Sequence, residues 1–139
     1  MKKVIILLVG IAVIAAGAIF AHITMNSYEE AENERETVEI THISGVTEVP
    51  LNPTRVAMFD LAAWDTMDVL GFGDYVVGGA TNNLTSLLEG FDVPNLGTLH
   101  EPNLELLIAA NPELIIISHR ARPMYDELSR IAPTIDLGI

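Results

Sequence analysis

The sequence predicts an α/β fold, in which a hydrophobic leader helix and a β-hairpin precede a lobe built around a parallel sheet. Three observations support this prediction. Short apolar strands alternate with helical segments from residue 55 onward. Residues 114–118 form an apolar run after an Asn-Pro-Glu turn signal, which is typical of a central strand covered on both faces. Hydrophobic residues make up 50% of the 139 residues, enough for a core without cross-links.

Residues 1–21 form a hydrophobic leader. Lys2 and Lys3 precede an uncharged stretch, which is the pattern of an export signal. At roughly 18 residues this stretch also approaches the length that spans a bilayer. The sequence leaves two interpretations open: a signal peptide, with cleavage favoured after Ala18, or a retained membrane anchor. Either one predicts that the rest of the chain is exported, to the periplasm or to the outer face of the cytoplasmic membrane.

Residues 22–37 are predicted to be a solvated acidic linker, because they carry five glutamates and little that is apolar. The whole chain has 7 basic and 19 acidic residues, a formal net charge of -12. This balance argues against nucleic acid and against an anionic membrane surface as partners. The chain contains no cysteine, which excludes disulfides, thiolate metal sites, a cysteine nucleophile and a lipid-modified cysteine.

The folded part, residues 38–139, begins with a predicted hairpin of residues 38–42 and 46–49 around a Ser-Gly turn. A strand at 55–59 leads to a helix with Asp60 as its N-cap and Gly71 as its stop. This helix is predicted to bury Ala63, Met67 and Leu70. The remaining predicted elements, in chain order, are a strand at 75–77 followed by Gly78-Gly79, a short helix at 84–88, a loop at 94–100, a helix at 103–110 that buries Leu104, Leu107 and Ile108, a strand at 114–118, a helix at 124–130 and a strand at 134–137. Such alternation predicts a parallel sheet with right-handed crossovers.

The central strand runs directly into Ser-His-Arg-Ala-Arg at 118–122. Ligands of open α/β sheets bind just beyond the carboxyl ends of the strands. Two of the chain's seven basic residues, Arg120 and Arg122, stand at that position. A guanidinium suits carboxylate, phosphate or other anionic oxygens. The sequence therefore predicts an anion-binding site at this edge.

Several segments, in this order and spacing, carry a resemblance to a known family: Thr-Glu-Val-Pro-x-Asn-Pro-x-Arg-Val at 47–56, Phe-Asp at 59–60, Asp-Thr-x-Asp-x-Leu-Gly at 65–71, Gly-Thr-x-x-Glu-Pro-Asn-x-Glu at 97–105 and Asn-Pro-Glu-Leu-Ile-Ile-Ile-Ser at 111–118. Residues 38–139 resemble the first lobe of iron-siderophore periplasmic binding proteins, the substrate-binding components of ABC importers. Within that family the chain is most similar to the catecholate and petrobactin-type binders, whose strand ends in a Ser-x-Arg like that at 118–120.

The resemblance implies two α/β lobes joined by a long helix, with a ferric siderophore held in the cleft between them. It implies that Arg120 reaches the iron-bound oxygens of the ligand. It also implies that Glu105, with Glu101 close by, docks on the membrane subunits of the importer. Iron would enter only as part of the ferric siderophore, so no cofactor or metal is expected to be bound directly by the protein.

Further ligand-binding candidates share the same predicted edge of the sheet: Phe59, Asn82, Asn83, Leu99, His100 and His119, together with Arg122. Asp60 is interpreted as a helix cap, because an acid would repel an anionic chelate. For Arg120 and Arg122 the alternative is an ion pair with Asp126 or Glu127 in the following helix.

Three alternatives remain beside a siderophore binder. The chain ends about where the linking helix should begin, so the second lobe is expected to be missing. The product could then be a truncated, membrane-tethered interaction domain without ligand binding. A zinc or manganese binder is disfavoured because His42, His100 and His119 lack ligand spacing. An enzyme is disfavoured because Ser118 and His119, adjacent on a strand, point to opposite faces.

Overall fold

The computed structural model describes residues 36–83 and 92–138. The predicted leader, nearly all of the predicted linker and the predicted helix at 84–88 lie outside the described residues. The strands are β1 (Thr37–His42), β2 (Gly45–Pro50), β3 (Val56–Phe59), β4 (Val76–Gly79), β5 (Leu114–Ile117) and β6 (Thr134–Asp136). The helices are α1 (Leu61–Val69), α2 (Leu104–Ala110) and α3 (Tyr125–Leu128), with 3-10 turns at Gly73–Tyr75, Thr81–Asn83 and Arg122–Met124. None of the helices in the described ranges is long and apolar enough to cross a membrane.

Four strands form one parallel sheet in the order β4-β3-β5-β6, and β1 and β2 form a separate antiparallel hairpin. The α/β class, the parallel sheet and the hairpin are therefore confirmed. β3 and β5 are the two central strands, paired from Val56 with Leu114 to Phe59 with Ile117. The strand at 114–118 occupies the central position that its unbroken apolar run predicts.

Helices cover both faces of this sheet. Phe59 and Ile117 point into a cluster that also contains Leu107 of α2 and Leu128 of α3. Met58, the neighbour of Phe59 in β3, belongs instead to a cluster with Trp64 of α1 on the other face. Successive strand residues point to opposite faces, so a strand buried on both sides reads as continuously apolar.

The hairpin packs on the cluster that contains α1 through Val49. Polar contacts hold it to β6 as well. The hydroxyl of Thr47 donates to the backbone oxygen of Thr134 at 3.1 Å, and the hydroxyl of Ser44 donates to the carboxylate of Asp136 at 2.7 Å. The turn of the hairpin thus reaches the carboxyl end of the parallel sheet.

α1 begins and ends as its sequence predicts. Oδ1 of Asp60 accepts the backbone N–H of Ala63 at 2.9 Å, which is an N-cap. Gly71 has φ +84, and the N–H groups of residues 71 and 72 bond back to the carbonyls of residues 68 and 67, a Schellman stop. The predicted buried face is wrong at one end: Leu70 is 66% exposed, and Trp64 is the fully buried residue. Leu70 is the C-cap, where the helical periodicity has already ended.

α2 is capped at both ends. Oδ1 of Asn103 accepts the N–H of Leu106 at 3.0 Å. At the other end the guanidinium of Arg55 donates to the carbonyls of Ala110 and Asn111. Arg55 therefore satisfies backbone oxygens that a helix end leaves unpaired.

Three other predictions require correction. Ile108 is 63% exposed, because α2 turns only Leu107 fully into the core. Gly78 and Gly79 lie within β4, where their lack of a side chain lets neighbouring segments approach closely. The helix predicted at 124–130 is shorter: a 3-10 turn precedes it, and α3 ends at Leu128.

Candidate functional site

The candidate site lies where the direction of chain winding reverses. From β3 the chain moves to β4 on one side, then returns to place β5 on the other side of β3. Asp60 follows β3 and Ser118 follows β5, and the gap between these two strand ends is therefore a topological switch point. Ligands of open α/β sheets bind at this position.

A depression of about 790 Å³ opens at this point, within the size range of small-ligand sites. Its polar lining residues are Asp60, Thr66, Ser118, His119 and Arg120. The rest of its lining is Leu61, Ala62, Ala63, Met67, Leu99, Ile116, Leu137 and Gly138. The wall is thus mostly apolar, with one carboxylate and one guanidinium.

Arg120 lies on a tight turn at the rim of the depression. The N–H of Ala121 donates to the carbonyl of Ser118 at 3.0 Å, which closes the turn around His119 and Arg120. The side chain of Arg120 is exposed, and within the described ranges it makes no ion pair and no hydrogen bond. Arg120 is thus an exposed cation in the lining of the depression.

Arg122 has a different environment, because it bonds to the buried carboxylate of Asp136. Its Nε donates to Oδ2 of Asp136 at 2.5 Å, and its terminal nitrogen donates to Oδ1 at 3.4 Å. The hydrogen bond that Arg122 donates to Asp136 raises the pKa of the Arg122 guanidinium. The alternative of a pair with Asp126 or Glu127 is wrong for Arg122, since β6 rather than α3 provides its partner.

The remaining candidates divide between the depression and its surroundings. Leu99 and His119 line the depression together with Arg120. His100 is exposed beyond its lining, with its N–H donating to the hydroxyl of Thr98 at 3.3 Å. Phe59 is fully buried in the core cluster of α2 and α3, so its side chain does not reach the depression.

Asn82 and Asn83 lie on the 3-10 turn after β4, and Asn82 is outside the lining of the depression. When the amide of Asn95 is oriented to donate to the carbonyl of Gly97, its oxygen accepts from Nδ2 of Asn82 at 3.1 Å. This hydrogen bond joins Asn82 to the segment that contains Asn95 and Gly97.

Glu101 and Glu105 are both exposed; Glu101 precedes α2, and Glu105 lies in its first turn. Leu99, two residues before Glu101, lines the depression. Neither acid is part of the lining of the depression. In residues 36–83 and 92–138, no three His, Asp or Glu side chains come together as a potential metal site.

A family profile described as periplasmic binding protein matches residues 56–138. The chain belongs to the periplasmic binding protein family. The matched range starts at β3 and includes every strand of the parallel sheet. It also contains the turn that carries Arg120.

Individual members of the periplasmic binding protein family align with most of the chain. The petrobactin-binding protein YclQ of Bacillus subtilis is 37% identical over 119 residues, which are 84% of this chain and 38% of that protein. Its crystal structure superposes with a TM-score of 0.72, covering 75% of this chain and 38% of that one. The Fe(3+)-citrate-binding protein YfmC of the same organism is 31% identical, over 82% of this chain and 38% of its own length.

The periplasmic catecholate-siderophore binding protein VctP of Vibrio cholerae has a similar structure. Its TM-score is 0.60 at 34% identity, covering 73% of this chain and 37% of that one. The chain thus spans under two fifths of the length of these binding proteins.

Two features of this candidate site are missing from the predictions made from sequence. The apolar wall contributed by α1, including Met67, requires knowledge of the face on which α1 packs. Asp136 was missed because its place beside the end of β5 depends on β6 lying next to β5, which the sequence does not reveal. Strand order was the missing information.

Proposed function

We propose that this chain contributes the ligand-contacting edge of an extracytoplasmic binding component of an ABC importer for ferric siderophores. The ligand is an anionic ferric chelate, with catecholate oxygens around the iron. Iron is the cargo and reaches the protein already chelated. Relatives that bind petrobactin, Fe(3+)-citrate and catecholate siderophores support this class of ligand.

The observation that carries the proposal is the exposed guanidinium of Arg120 at the switch-point depression, which has no ion pair within residues 36–83 and 92–138. A ferric tris-catecholate is strongly anionic, and a chain with net charge -12 repels it unless a cation lies at the point of contact. Arginine remains charged at any physiological pH and donates to two oxygens at once. Arg120 is therefore suited to the outer oxygens of the chelate.

The apolar wall favours aromatic chelating groups over purely hydrophilic ones. Met67 and Leu137 offer contact surface for a catechol ring. The hydrophobic effect favours the transfer of such a ring from water to this wall, while the oxygens of the ring face the guanidinium. Ferric citrate has the charge but lacks the ring, so we expect it to bind more weakly than a ferric catecholate.

The first test is a titration of the single tryptophan, Trp64, with the ferric complex of 2,3-dihydroxybenzoate. We expect saturable quenching of its fluorescence. Arg120→Gln should weaken binding about 10- to 100-fold, since hydrogen bonds between charged groups contribute about 1.5–3 kcal/mol. Arg130→Gln is the matched control: Arg130 is exposed, and among the described residues it has no ion pair. Equal affinities for the two variants would exclude Arg120 from the site.

A titration without saturable quenching would favour the alternative of a tethered interaction domain.

We also propose that Glu105, with Glu101, contacts the importer's membrane subunits through charge-assisted pairs. Glu105→Gln should then reduce co-purification with those subunits while leaving chelate binding unchanged. Glu127→Gln, which neutralises an exposed acid on α3, is the control.

A further inference from the structure

Asp136 is a buried carboxylate that joins three parts of the chain. It is 1% exposed at the end of β6. Oδ2 accepts from Nε of Arg122 at 2.5 Å and from the hydroxyl of Ser44 at 2.7 Å. Oδ1 accepts from the N–H of Gly138 at 2.9 Å and from the terminal nitrogen of Arg122 at 3.4 Å. A buried charge is tolerated when it is paired and hydrogen-bonded to this extent.

This carboxylate is close to the turn that carries Arg120. Asp136 is the register partner of Ile117, the last residue of β5, and the N–H of Leu137 donates to the carbonyl of Ile117 at 2.9 Å. Arg122 follows Arg120 by two residues. The turn is therefore held at one end by the sheet and at the other by the bond from Arg122 to Asp136.

Gly138 brings the same segment into direct contact with the turn. A Cβ atom at this position would lie 2.6 Å from the backbone nitrogen of His119 and would also collide with the guanidinium of Arg122. Only a residue without a side chain permits this approach. Gly138 also lines the depression, as do Leu137 and His119.

We propose that Arg122 and Asp136 are positioning residues, which hold the turn of His119 and Arg120 in its ligand-binding geometry. Arg122 does not contact the chelate, because its guanidinium already binds a buried carboxylate. A turn fixed before the ligand arrives lowers the conformational entropy lost on binding. The ligand part of this inference rests on the proposed function.

The binding test is a double-mutant cycle on the full chain, with the ferric complex of 2,3-dihydroxybenzoate as probe. Arg122→Gln should weaken binding about tenfold, and residues in one hydrogen-bond network are expected to show coupled rather than additive effects. Replacing Arg120 by Gln in the Arg122→Gln background should then have a much smaller effect than in the unaltered protein. A merely structural role for Arg122 would lower stability and leave the effect of Arg120→Gln unchanged. Arg130→Gln controls for the lost charge.

A second cycle separates positioning from direct contact. If Arg122 acts through Asp136, then Arg122→Gln should weaken binding little further once Asp136→Asn is present. A full tenfold loss in that background would show that Arg122 contacts the chelate itself and would overturn the proposal. Likewise, unchanged affinity of the Arg122→Gln variant would overturn it.

A measurement without ligand keeps this proposal distinct from the proposed function. Backbone order parameters from NMR relaxation should be near 0.85 at His119 and Arg120 in the unaltered chain, and should fall toward 0.6 in the Arg122→Gln variant. This result would support positioning even if the chelate failed to bind. Order parameters that do not change would overturn the proposal, whether or not the chelate binds.

Discussion

Gly79 illustrates how a single residue determines the approach of α1 to the sheet. It lies in β4, beside Met58 of β3 and under the ring of Trp64. A Cβ atom there would collide with the carbonyl oxygen of Met58 and lie 2.8 Å from the Trp64 ring. Trp64 can be fully buried because this space is left empty.

We therefore expect Gly79→Ala to lower the free energy of unfolding by about 3 kcal/mol, the upper part of the range for overpacking. Gly71→Ala is the comparison, because its Cβ would meet nothing within 4 Å and would face only the backbone cost of φ +84. That cost is about 1 kcal/mol. Urea unfolding measures both, and a Gly79→Ala loss no larger than the Gly71→Ala loss would contradict this account of the packing.

The same residue explains a limit of prediction from sequence. Helical periodicity in α1 predicts Ala63, Met67 and Leu70 on the buried face. Ala63 and Met67 are half-buried, but the deepest residue is Trp64. Periodicity indicates a face without indicating which neighbour has room for an indole ring. The space for the indole ring depends on Gly79, which lies next to Trp64 only because β4 pairs with β3.

At the scale of an element, α2 depends on its caps because it has only seven residues. Helices this short are not stable by propensity alone. Asn103→Ala removes the side-chain acceptor for the N–H of Leu106 and should cost about 1 kcal/mol. Asn103→Ser keeps an acceptor at the N-cap and should restore most of that stability. Thermal unfolding compares the two, and equal melting temperatures would show that the cap does not matter.

The hairpin is the second element whose attachment can be tested. Ser44→Ala removes the hydroxyl that donates to the carboxylate of Asp136. We expect a loss of about 1–2 kcal/mol in the free energy of unfolding, since the acceptor is charged and buried. Ser44→Thr retains a hydroxyl and is the control. Amide hydrogen exchange should be faster across β1 and β2 in the Ser44→Ala variant. Exchange rates that match the unaltered chain would contradict this anchoring role.

For the whole molecule, the sequence predicts the position of the site better than its internal contacts. The apolar run before Ser118 predicts a central strand, and the rule for open sheets then predicts a ligand beyond it. The pairing of Arg122 with Asp136 requires β6 to lie next to β5. That order follows from tertiary packing, so the nearer acids of α3 were the natural alternative partners. Prediction from sequence was limited because the order of the strands in the sheet depends on contacts between residues that are distant in the sequence.

Asp136 also makes the stability of the molecule depend on pH. Burial raises the pKa of this carboxyl, but hydrogen bonds from Arg122, Ser44 and the backbone N–H of Gly138 outweigh burial. The pKa of Asp136 in the folded protein is therefore below its ordinary value of 3.8. The unfolded chain binds this proton more readily than the folded chain does. The stability contributed by Asp136 is thus complete above its unfolded pKa and is lost as the pH falls through its folded pKa.

The difference in stability between the unaltered chain and Asp136→Asn isolates this contribution, because the other acidic groups titrate in both proteins. Near pH 6 we expect the variant to be less stable by about 2 kcal/mol, the scale of hydrogen bonds to a buried charged acceptor. Below pH 3.8 the gap should narrow, since protonation removes from Asp136 the charge that asparagine already lacks. Urea unfolding at a series of pH values measures the gap directly. A gap that stays constant from neutral pH into strong acid would mean that the charge of Asp136 does not stabilise the fold, and Arg122 would then lack the anchor that holds the turn of Arg120.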